Sequence, residues 1–245
     1  MKVDASIVAY IQNVVKTART VKINNIIIEP DRVRGIDDDS SVVMLHETDV
    51  PLLPFTSIGL NRIDVFISRF DIAASADNFE VEAIVAEPKT STNGEPQLPF
   101  ARALMMQSKG IQIDYRCANP KTIRAPKGIN DTMTHSVDIN PETVALISKG
   151  QAAMSADTVN FVSDEDGVSF QMTDINGDVF KYQFAPPPTP INKGKNDPFF
   201  FSYSYPSKTV LSLLKESPNT PFLVGSKMMS VVVNGLNIFI LPRAQ

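Results

Sequence analysis

The sequence of 245 residues has no tryptophan, one cysteine and only two histidines. A single cysteine excludes a disulfide bond within the chain and is typical of a protein from a reducing compartment. Cys117 has no Cys or His at a metal-binding or catalytic spacing, so we interpret it as a small core residue rather than a reactive thiol. His46 and His135 have no partners at such spacings either. We therefore predict no metal site.

The sequence motifs of common enzyme classes are missing as well. The chain contains no GxSxG nucleophile elbow, no GxxxxGK[ST] phosphate loop and no GxGxxG dinucleotide fingerprint. The segment 174–178 begins like a calcium-binding loop, but Val179 and Ala185 stand where such a loop needs Gly and Glu. We interpret it as a hairpin turn. The sequence thus predicts a protein that is not an enzyme, with no catalytic residue and no cofactor.

No apolar run reaches the roughly 18 residues that a membrane-spanning helix requires. The first ten residues include Asp4 and show no signal-peptide hydrophobic region. We therefore expect a cytoplasmic protein with no membrane partner. Hydrophobic residues make up 43% of the chain, which is enough for a substantial core.

The stretch from Asp197 to Gln245 shows the clearest secondary-structure pattern. Pro206 suits the first turn of a helix, because its missing N–H would be unpaired there in any case. Asn234-Gly235 predicts a tight hairpin turn, since both residues tolerate positive φ. Alternating Phe, Tyr and Val residues indicate strands on either side of the helix. The predicted elements are a strand at 199–205, a helix at 206–216, and strands at 221–226, 229–233 and 236–241.

This unit of one strand, one helix and three strands is predicted about four times along the chain. Apolar spacing places the other three helices at 5–22, 57–70 and 141–154. Residues 118–134 contain two prolines and a glycine without periodicity, which is typical of a connector. We predict an α+β fold of two domains, each a doubled βαβββ unit with helices on one face of antiparallel sheets. The domains span 1–120 and 135–245, and the connector spans 121–134.

Positive charge is concentrated on the predicted helices of an otherwise acidic chain. The net charge is −4, which argues against a protein that grips nucleic acid over its whole surface. The helix candidates, with the last one taken to residue 217, hold eight basic and three acidic residues. This leaves 15 of the 23 basic and 24 of the 27 acidic residues for the remainder. Helix propensity alone would favour Glu as much as Lys. The eight helix cations are Lys16, Arg19, Lys22, Arg62, Arg69, Lys149, Lys208 and Lys215.

Several stretches of the chain resemble DNA sliding clamps, most closely the T-even-type bacteriophage clamp that serves as a DNA polymerase processivity factor. They are the opening helix with VKINNIIIEPDRVRG, then SIGLNRIDVFISRF, IQIDYRCANPKTIRAPKGI, INPETVALISKGQAAMSADTVNFV and VVVNGLNIFILPRAQ. Clamps have no catalytic signature, so order and spacing carry the resemblance, which spans nearly the whole chain. The chain departs from the pattern in a longer 87–99 loop and a polyproline loop at 186–190. The resemblance therefore does not identify the strand edges that would form a ring interface.

The resemblance implies a homotrimeric ring that closes around duplex DNA, with the helices lining its hole. The eight helix cations would then face the phosphate backbone without reading the bases. It also implies two protein partners, a replicative DNA polymerase and an ATP-driven clamp loader. A viral replication protein of this kind would act in the host cytoplasm. Partner peptides would dock in an apolar pocket, for which the candidates are Ile123, Pro126, Leu241, Pro242 and Arg243.

Two other functions stay open. Many strands and proline-rich loops also suit a structural protein of a virion or scaffold, which would form large assemblies and need neither DNA nor a loader. A carbohydrate- or ligand-binding β domain would need aromatic residues grouped on loops. The Phe and Tyr residues at 199–205 lie in an alternating strand instead, so we rank that function last.

Overall fold

Four helices alternate with groups of short strands in the computed structural model, which describes residues 1–48, 53, 57–86, 99–191, 201–217, 219–225 and 227–242. The helices are α1 (Ala5–Thr20), α2 (Ile63–Ala74), α3 (Pro141–Met154) and α4 (Ser207–Glu216). Before α3 the strands are β1 (Lys2–Val3), β2 (Asn25–Ile28), β3 (Arg32–Ile36), β4 (Val42–Glu47), β5 (Ile58–Asn61), β6 (Glu80–Val85), β7 (Ala101–Ser108), β8 (Ile111–Arg116) and β9 (Met133–Val137). After α3 they are β10 (Thr158–Asp164), β11 (Gly167–Thr173), β12 (Val179–Gln183), β13 (Thr189–Pro190), β14 (Phe201–Pro206), β15 (Phe222–Gly225), β16 (Met229–Val233) and β17 (Leu236–Ile240).

The chain divides into two compact units. Unit 1 consists of Met1–Asp39 and Val43–Gly128, and unit 2 of Ser40–Val42 and Ile129–Gln245. The order of elements is one strand, one helix and three strands, four times in succession, with the short β13 added after the third repeat. This confirms the predicted α+β fold and its repeated unit. The predicted domain limits at 120 and 135 stay a prediction.

In unit 1, each repeat gives its first strand to the sheet of the other repeat. Strand β1 pairs with β6 in a sheet of order β1-β6-β7-β8, and β5 pairs with β2 in the order β5-β2-β3-β4. All these pairs are antiparallel. Helix α1 packs beside α2, and α2 contacts β5 as well as β7 and β8. The two repeats of the unit therefore share one core.

Unit 2 shows the same exchange of first strands. Strand β14 pairs with β10 in a sheet of order β12-β11-β10-β14, and β9 pairs with β15 in the order β13-β9-β15-β16-β17. Helix α3 packs beside α4 and on β11 and β12, whereas α4 contacts β10, β14 and β16. Each unit thus places two neighbouring helices against strands drawn from both of its repeats.

Aromatic side chains fill much of both cores, which suits a chain without tryptophan. In unit 1 the rings of Phe66 and Tyr115 meet edge to face, with centroids 4.9 Å apart. The Tyr115 hydroxyl donates to the backbone oxygen of Asn61, which ties β8 to the end of β5. In unit 2 the ring of Phe170 stacks on Phe222 at 5.8 Å, joining β11 to β15. These contacts link the two sheets of each unit.

The main error in the predicted elements concerns residues 57–70, which were expected to form one helix. Residues Ile58–Asn61 form strand β5, and the helix begins only at Ile63. The apolar residues before this point have the period of a strand: Ile58 and Leu60 lie two residues apart, on one face, and both are buried. The segment pairs with β2. Gly59 allows the backbone to approach Ala118 closely, since a Cβ at Gly59 would lie 2.5 Å from the Ala118 oxygen.

The first helix is also shorter than predicted. It ends at Thr20 rather than at residue 22, because the backbone turns there and Lys22 adopts a left-handed conformation with φ of 61°. The next strand, β2, accordingly begins at Asn25. Part of the predicted strand at 199–205 lies outside the described residues, and β14 starts at Phe201.

The packing of α3 on β12 generates a prediction about stability. A Cβ at Gly150 would lie 2.6 Å from the ring of Phe180, so Gly150→Val forces this ring to move. We expect overpacking to lower the free energy of unfolding by about 1–3 kcal/mol. Urea denaturation measures the effect. Gly128→Val is the matched control, because a Cβ at Gly128 meets nothing within 4 Å. Equal midpoints for both variants would contradict the described packing.

Candidate functional site

We first searched the described residues for metal-binding clusters and reactive side chains. They contain no group of three or more His, Cys, Asp or Glu side chains that could hold a metal ion. The Cys117 thiol is free and half-buried, and burial raises its pKa to about 12, which keeps it protonated at neutral pH. Burial lowers the pKa of His46. None of the helices in the described ranges has the length and apolar character of a membrane-spanning segment.

Helix α1 presents two cations on one exposed face. Lys16 and Arg19 are both exposed, and with Gln12 they follow the i, i+4, i+7 spacing of a single helix face. The opposite side of the helix is buried through Val14, Val15 and Ala18, among others. The amphipathic pattern therefore directs both cations away from the core of unit 1, as the sequence predicted.

Helix α4 presents a second basic face, in unit 2. Lys208, Ser212 and Lys215 are all exposed and have the i, i+4, i+7 spacing of one helix face. The buried side of α4 consists of Ser207, Val210, Leu211, Leu213 and Leu214. Within the described residues, neither lysine forms an ion pair. These ammonium groups are therefore available to an anionic ligand.

Helix α2 is less basic than predicted, whereas α3 carries the charges that were predicted. Helix α2 carries Arg69, which is half-buried, and two acidic residues, Asp64 and Asp71. Helix α3 carries the exposed Lys149 and one acid, Glu142. With the observed helix limits, the four helices hold six basic and four acidic residues, a net charge of +2 rather than the predicted +5. The positive charge is concentrated on α1 and α4.

Two of the predicted helix cations lie outside the helices. Lys22 follows the end of α1, and Arg62 is the residue before α2; both are exposed and have left-handed backbone conformations. The Arg62 guanidinium carbon lies 5.8 Å from the centroid of the Tyr115 ring, a cation–π distance. The predicted helix at 57–70 would place Arg62 and Arg69 seven residues apart on one face, but Arg62 precedes the helix and the two residues do not share it. A role of either residue in contacting DNA stays a prediction.

One cation of α1 already has a partner. The Nε atom of Arg19 lies 3.1 Å from a carboxylate oxygen of Asp64, and both side chains are largely exposed. Sequence reasoning did not find Asp64 as a component of this surface. The only local signal is the place of Asp64 in the first turn of α2, where an acidic residue stabilises the helix dipole. Its contact with Arg19 depends on the packing of α1 beside α2.

The residues predicted for a peptide pocket are distributed over both units. Ile123 and Pro126 belong to unit 1, and both are half-buried. Leu241 and Pro242 belong to unit 2 and are half-buried as well. Arg243 lies outside the described residues. The pocket that these residues were expected to form stays a prediction.

The chain around Ile123 and Pro126 is fixed to unit 1 by specific hydrogen bonds. Arg34 donates from Nη1 to the backbone oxygen of Pro126 at 3.0 Å, and its Nε and Nη2 donate to the two carboxylate oxygens of Glu29 at 2.7 and 2.9 Å. Asn119 caps a short 3-10 helix, Pro120–Thr122, by accepting from the Lys121 N–H. The predicted connector is thus an ordered extension of unit 1 up to Gly128.

A polar cavity of about 570 Å³ lies within unit 2, between the start of α3 and the polyproline loop. It is lined by Asp138, Asn140, Thr143 and Tyr182, among others, and by no Lys, Arg or His. The Thr143 hydroxyl and the Tyr182 hydroxyl are 3.2 Å apart and hydrogen-bond to each other. Because it has no cation, this cavity is not suited to a phosphate group and is separate from the basic helix faces.

Comparison with known proteins identifies the fold. No family model and no curated protein sequence matches this chain. Among solved structures, the PCNA of A. fulgidus with the C-terminal region of FEN-1 bound matches at 15% identity, a TM-score of 0.60 and 96% of both chains. The PCNA of Thermococcus kodakaraensis matches at 12% identity, with a TM-score of 0.59 and 99% of both chains covered. The proliferating cellular nuclear antigen of Entamoeba histolytica matches at 12% identity, with a TM-score of 0.58 and 96% of both chains covered.

The chain therefore has the PCNA-type clamp fold along nearly its full length. Identities of 12–15% show the fold alone. The predicted resemblance to sliding clamps is confirmed at this level. The more specific likeness to clamps of T-even-type bacteriophages stays a prediction.

The hydrogen bonds of Arg34 generate a testable prediction. Arg34→Met removes the bond to Pro126, and we expect amide exchange in residues 118–128 to become faster because this segment loses its anchor. A hydrogen bond to a charged group contributes about 1.5–3 kcal/mol. Hydrogen-exchange mass spectrometry measures the protection of these amides.

Arg32→Met is the matched control for this experiment. Arg32 also donates to Glu29, at 2.8 Å, but makes no described contact with the connector. Equal protection of residues 118–128 in both variants would show that the Arg34–Pro126 bond does not hold the segment.

Proposed function

We propose that this chain is a ring-shaped sliding clamp that encircles duplex DNA and tethers a replicative DNA polymerase for processive synthesis. The observation that carries the proposal is the clamp fold, which the chain shares with PCNA structures over 96–99% of both chains. The chain would act as a mobile tether and perform no chemistry of its own. We further propose that it belongs to a bacteriophage of the T-even type and acts in the host cytoplasm.

The distribution of charge supports this function. The net charge of −4 disfavours tight binding of DNA to the outer surface, whereas exposed lysines on α1 and α4 attract phosphates locally. Lysine side chains are long and flexible and contact phosphates without reading bases, so binding would not depend on sequence. A closed ring is held on DNA by topology, and a few weak contacts are sufficient. All eight predicted cations are candidates for the lining. Of these, Lys16, Lys149, Lys208 and Lys215 are exposed on helices and form no ion pair within the described residues.

Two sheet edges that have no partner strand among the described residues support assembly into a ring. Strand β8 ends one sheet of unit 1, and β12 ends one sheet of unit 2. The helices that pack on these strands carry exposed apolar residues: Val65 and Ile72 on α2, and Leu146 on α3. Val179 on β12 is exposed as well. We propose that β8 of one copy pairs with β12 of the next, because an open strand edge flanked by apolar residues favours strand pairing.

Such a contact joins different surfaces of identical chains and closes into a ring if the rotation between copies permits. Bacterial-type clamps form six-domain rings from two chains of three domains. By analogy, two domains per chain, 1–120 and 135–245 joined by 121–134, favour a homotrimer.

Protein partners would bind through short peptides. One PCNA of this fold was solved with the C-terminal region of FEN-1 bound. We propose that the polymerase and a clamp loader dock peptides on Ile123, Pro126, Leu241, Pro242 and Arg243. The ordered segment around Ile123 and Pro126 would offer a pre-arranged surface, which reduces the entropic cost of binding.

The ring predicts a defined mass in solution. One chain is 26.9 kDa, so a trimer is three times this value, or about 81 kDa. Light scattering over a range of concentrations measures it, and we expect the trimer at the upper concentrations. A monomer at every concentration would require the ring to be held by DNA or the loader, which cross-linking on circular duplex DNA then tests. Large, polydisperse assemblies would instead support a structural protein.

The proposed DNA-facing lysines are tested by charge reversal. We expect Lys16→Glu, Lys208→Glu and Lys215→Glu together to shorten the products of polymerase extension on a long primed template to the length obtained without the clamp. The physical reason is that attraction to phosphates becomes repulsion at three positions per chain.

The matched control reverses Arg102, Lys109 and Lys227, which are exposed and lie outside the helices. It changes the net charge by the same amount and should leave product length close to that of the wild type. Circular dichroism confirms that both variants are folded. Full-length products with the helix variant would refute the assignment of these lysines.

A further inference from the structure

The ion pair between Arg19 and Asp64 lies on the surface that the proposed function assigns to DNA. The Nε atom of Arg19 is 3.1 Å from an Asp64 oxygen, with 61% of the Arg19 side chain and 71% of the Asp64 side chain exposed. Arg19 shares its helix face with Lys16, one turn earlier, for which no ion pair is found in the described residues. A candidate phosphate-binding cation is thus already occupied by a carboxylate of its own chain.

Helix geometry explains why these two residues meet. Arg19 lies in the last turn of α1, where a cation is favoured by the helix dipole, and Asp64 lies in the first turn of α2, where an acid is favoured. The two helices pack beside each other, and the contact brings the end of α1 to the start of α2. Because the pair is exposed, it contributes little to the stability of the fold.

The pair nevertheless engages N–H groups of Arg19 that could otherwise bind a DNA phosphate. A guanidinium binds a phosphate through the same N–H groups that it presents to a carboxylate. Arg19 must therefore leave Asp64, or share its donors, before it contacts the backbone. If Arg19 does leave, the free carboxylate repels the approaching phosphate, since both lie well within a Debye length. Asp64 opposes DNA binding in either case.

We propose that Asp64 is a positioning residue that competes with DNA for Arg19 and so weakens the grip of the ring on the phosphate backbone. This inference rests on the proposed function. A clamp must stay on DNA and also move along it, and each strong phosphate contact adds resistance to movement. Lys208 and Lys215 on α4 have no ion pair in the described ranges, so the competition acts on one selected cation of the lining.

Asp64→Asn tests the proposal with little change in shape. We expect tighter binding to a short labelled duplex, measured by fluorescence anisotropy across a salt series with the full chain. One additional phosphate contact steepens the slope of log K against log salt by about 0.9, which at about 0.1 M salt corresponds to roughly eightfold tighter binding. A purely structural role of Asp64 would not change this slope.

Asp71→Asn controls for the loss of one negative charge. Asp71 lies on the same helix and, seven residues from Asp64, on the same exposed face. It forms no ion pair within the described part of the chain. We expect Asp71→Asn to tighten binding less than Asp64→Asn and to leave the salt slope unchanged.

A double-mutant cycle with Arg19→Gln shows whether Asp64 acts through Arg19. We expect Asp64→Asn to lose most of its effect in the Arg19→Gln background, because the released guanidinium is then missing. An effect that persists in this background, or that equals the effect of Asp71→Asn, would overturn the competition. No binding of the short duplex by any variant, even at low salt, would overturn the competition for Arg19. The proposed function fails separately, if the wild-type chain does not lengthen the products of polymerase extension on a long primed template. Binding that depends on Lys208 and Lys215 but not on Asp64 would overturn only the present inference.

Discussion

The exchange of first strands between repeats is the constraint on which the rest of the structure depends. In unit 1, β1 completes the sheet of the second repeat and β5 completes that of the first, through the pairs β1–β6 and β5–β2. Unit 2 repeats this arrangement with β9–β15 and β14–β10. Neither repeat of a unit can complete its sheet alone, so both fold around one core. The exchange also holds the two helices of each unit side by side, which determines the residues that their exposed faces bring together.

The charges on these helix faces have defined positions only because the helices are fixed in this way. Lys208 and Lys215 project from α4 because its other side is anchored by apolar residues such as Leu211 and Leu214. The same packing brings Arg19 to Asp64, so the core determines that this helix cation has an ion-pair partner, whereas Lys208 and Lys215 have none among the described residues. An exposed ion pair adds little to the stability of the fold, and its main effect is therefore on the binding of a charged ligand. A surface that must bind weakly and keep moving can be tuned in this way without cost to the fold.

Most of the fold could be predicted from local pattern, whereas the site could be predicted only in part. The periodicity of α3 and the turn at Asn234-Gly235 depend on neighbouring residues, and both elements are found where they were expected. Ile58–Asn61 was misassigned because four residues that precede a strong helix pattern give too little periodicity to reveal a strand; its pairing with β2 is a long-range contact. Arg62 was misplaced for the same reason. Asp64 and the Arg34–Pro126 bond depend on the approach of distant segments, which no local pattern contains.

The modest charge of the helices is itself consistent with a ring that slides. Six basic and four acidic residues on the four helices give a far weaker field than a protein that holds DNA by charge alone requires. For a closed ring, retention on DNA is topological, so selection can favour low friction over affinity. In the proposed ring, acidic residues beside the cations, such as Asp64 and Glu216, would reduce the strength of each phosphate contact without removing the attraction to the duplex. The helix charge is +2 rather than the predicted +5 because the helix limits exclude Lys22 and Arg62 and include Asp71. Both cations remain exposed beside the helix ends, so the lining proposed here is more basic than the helices alone.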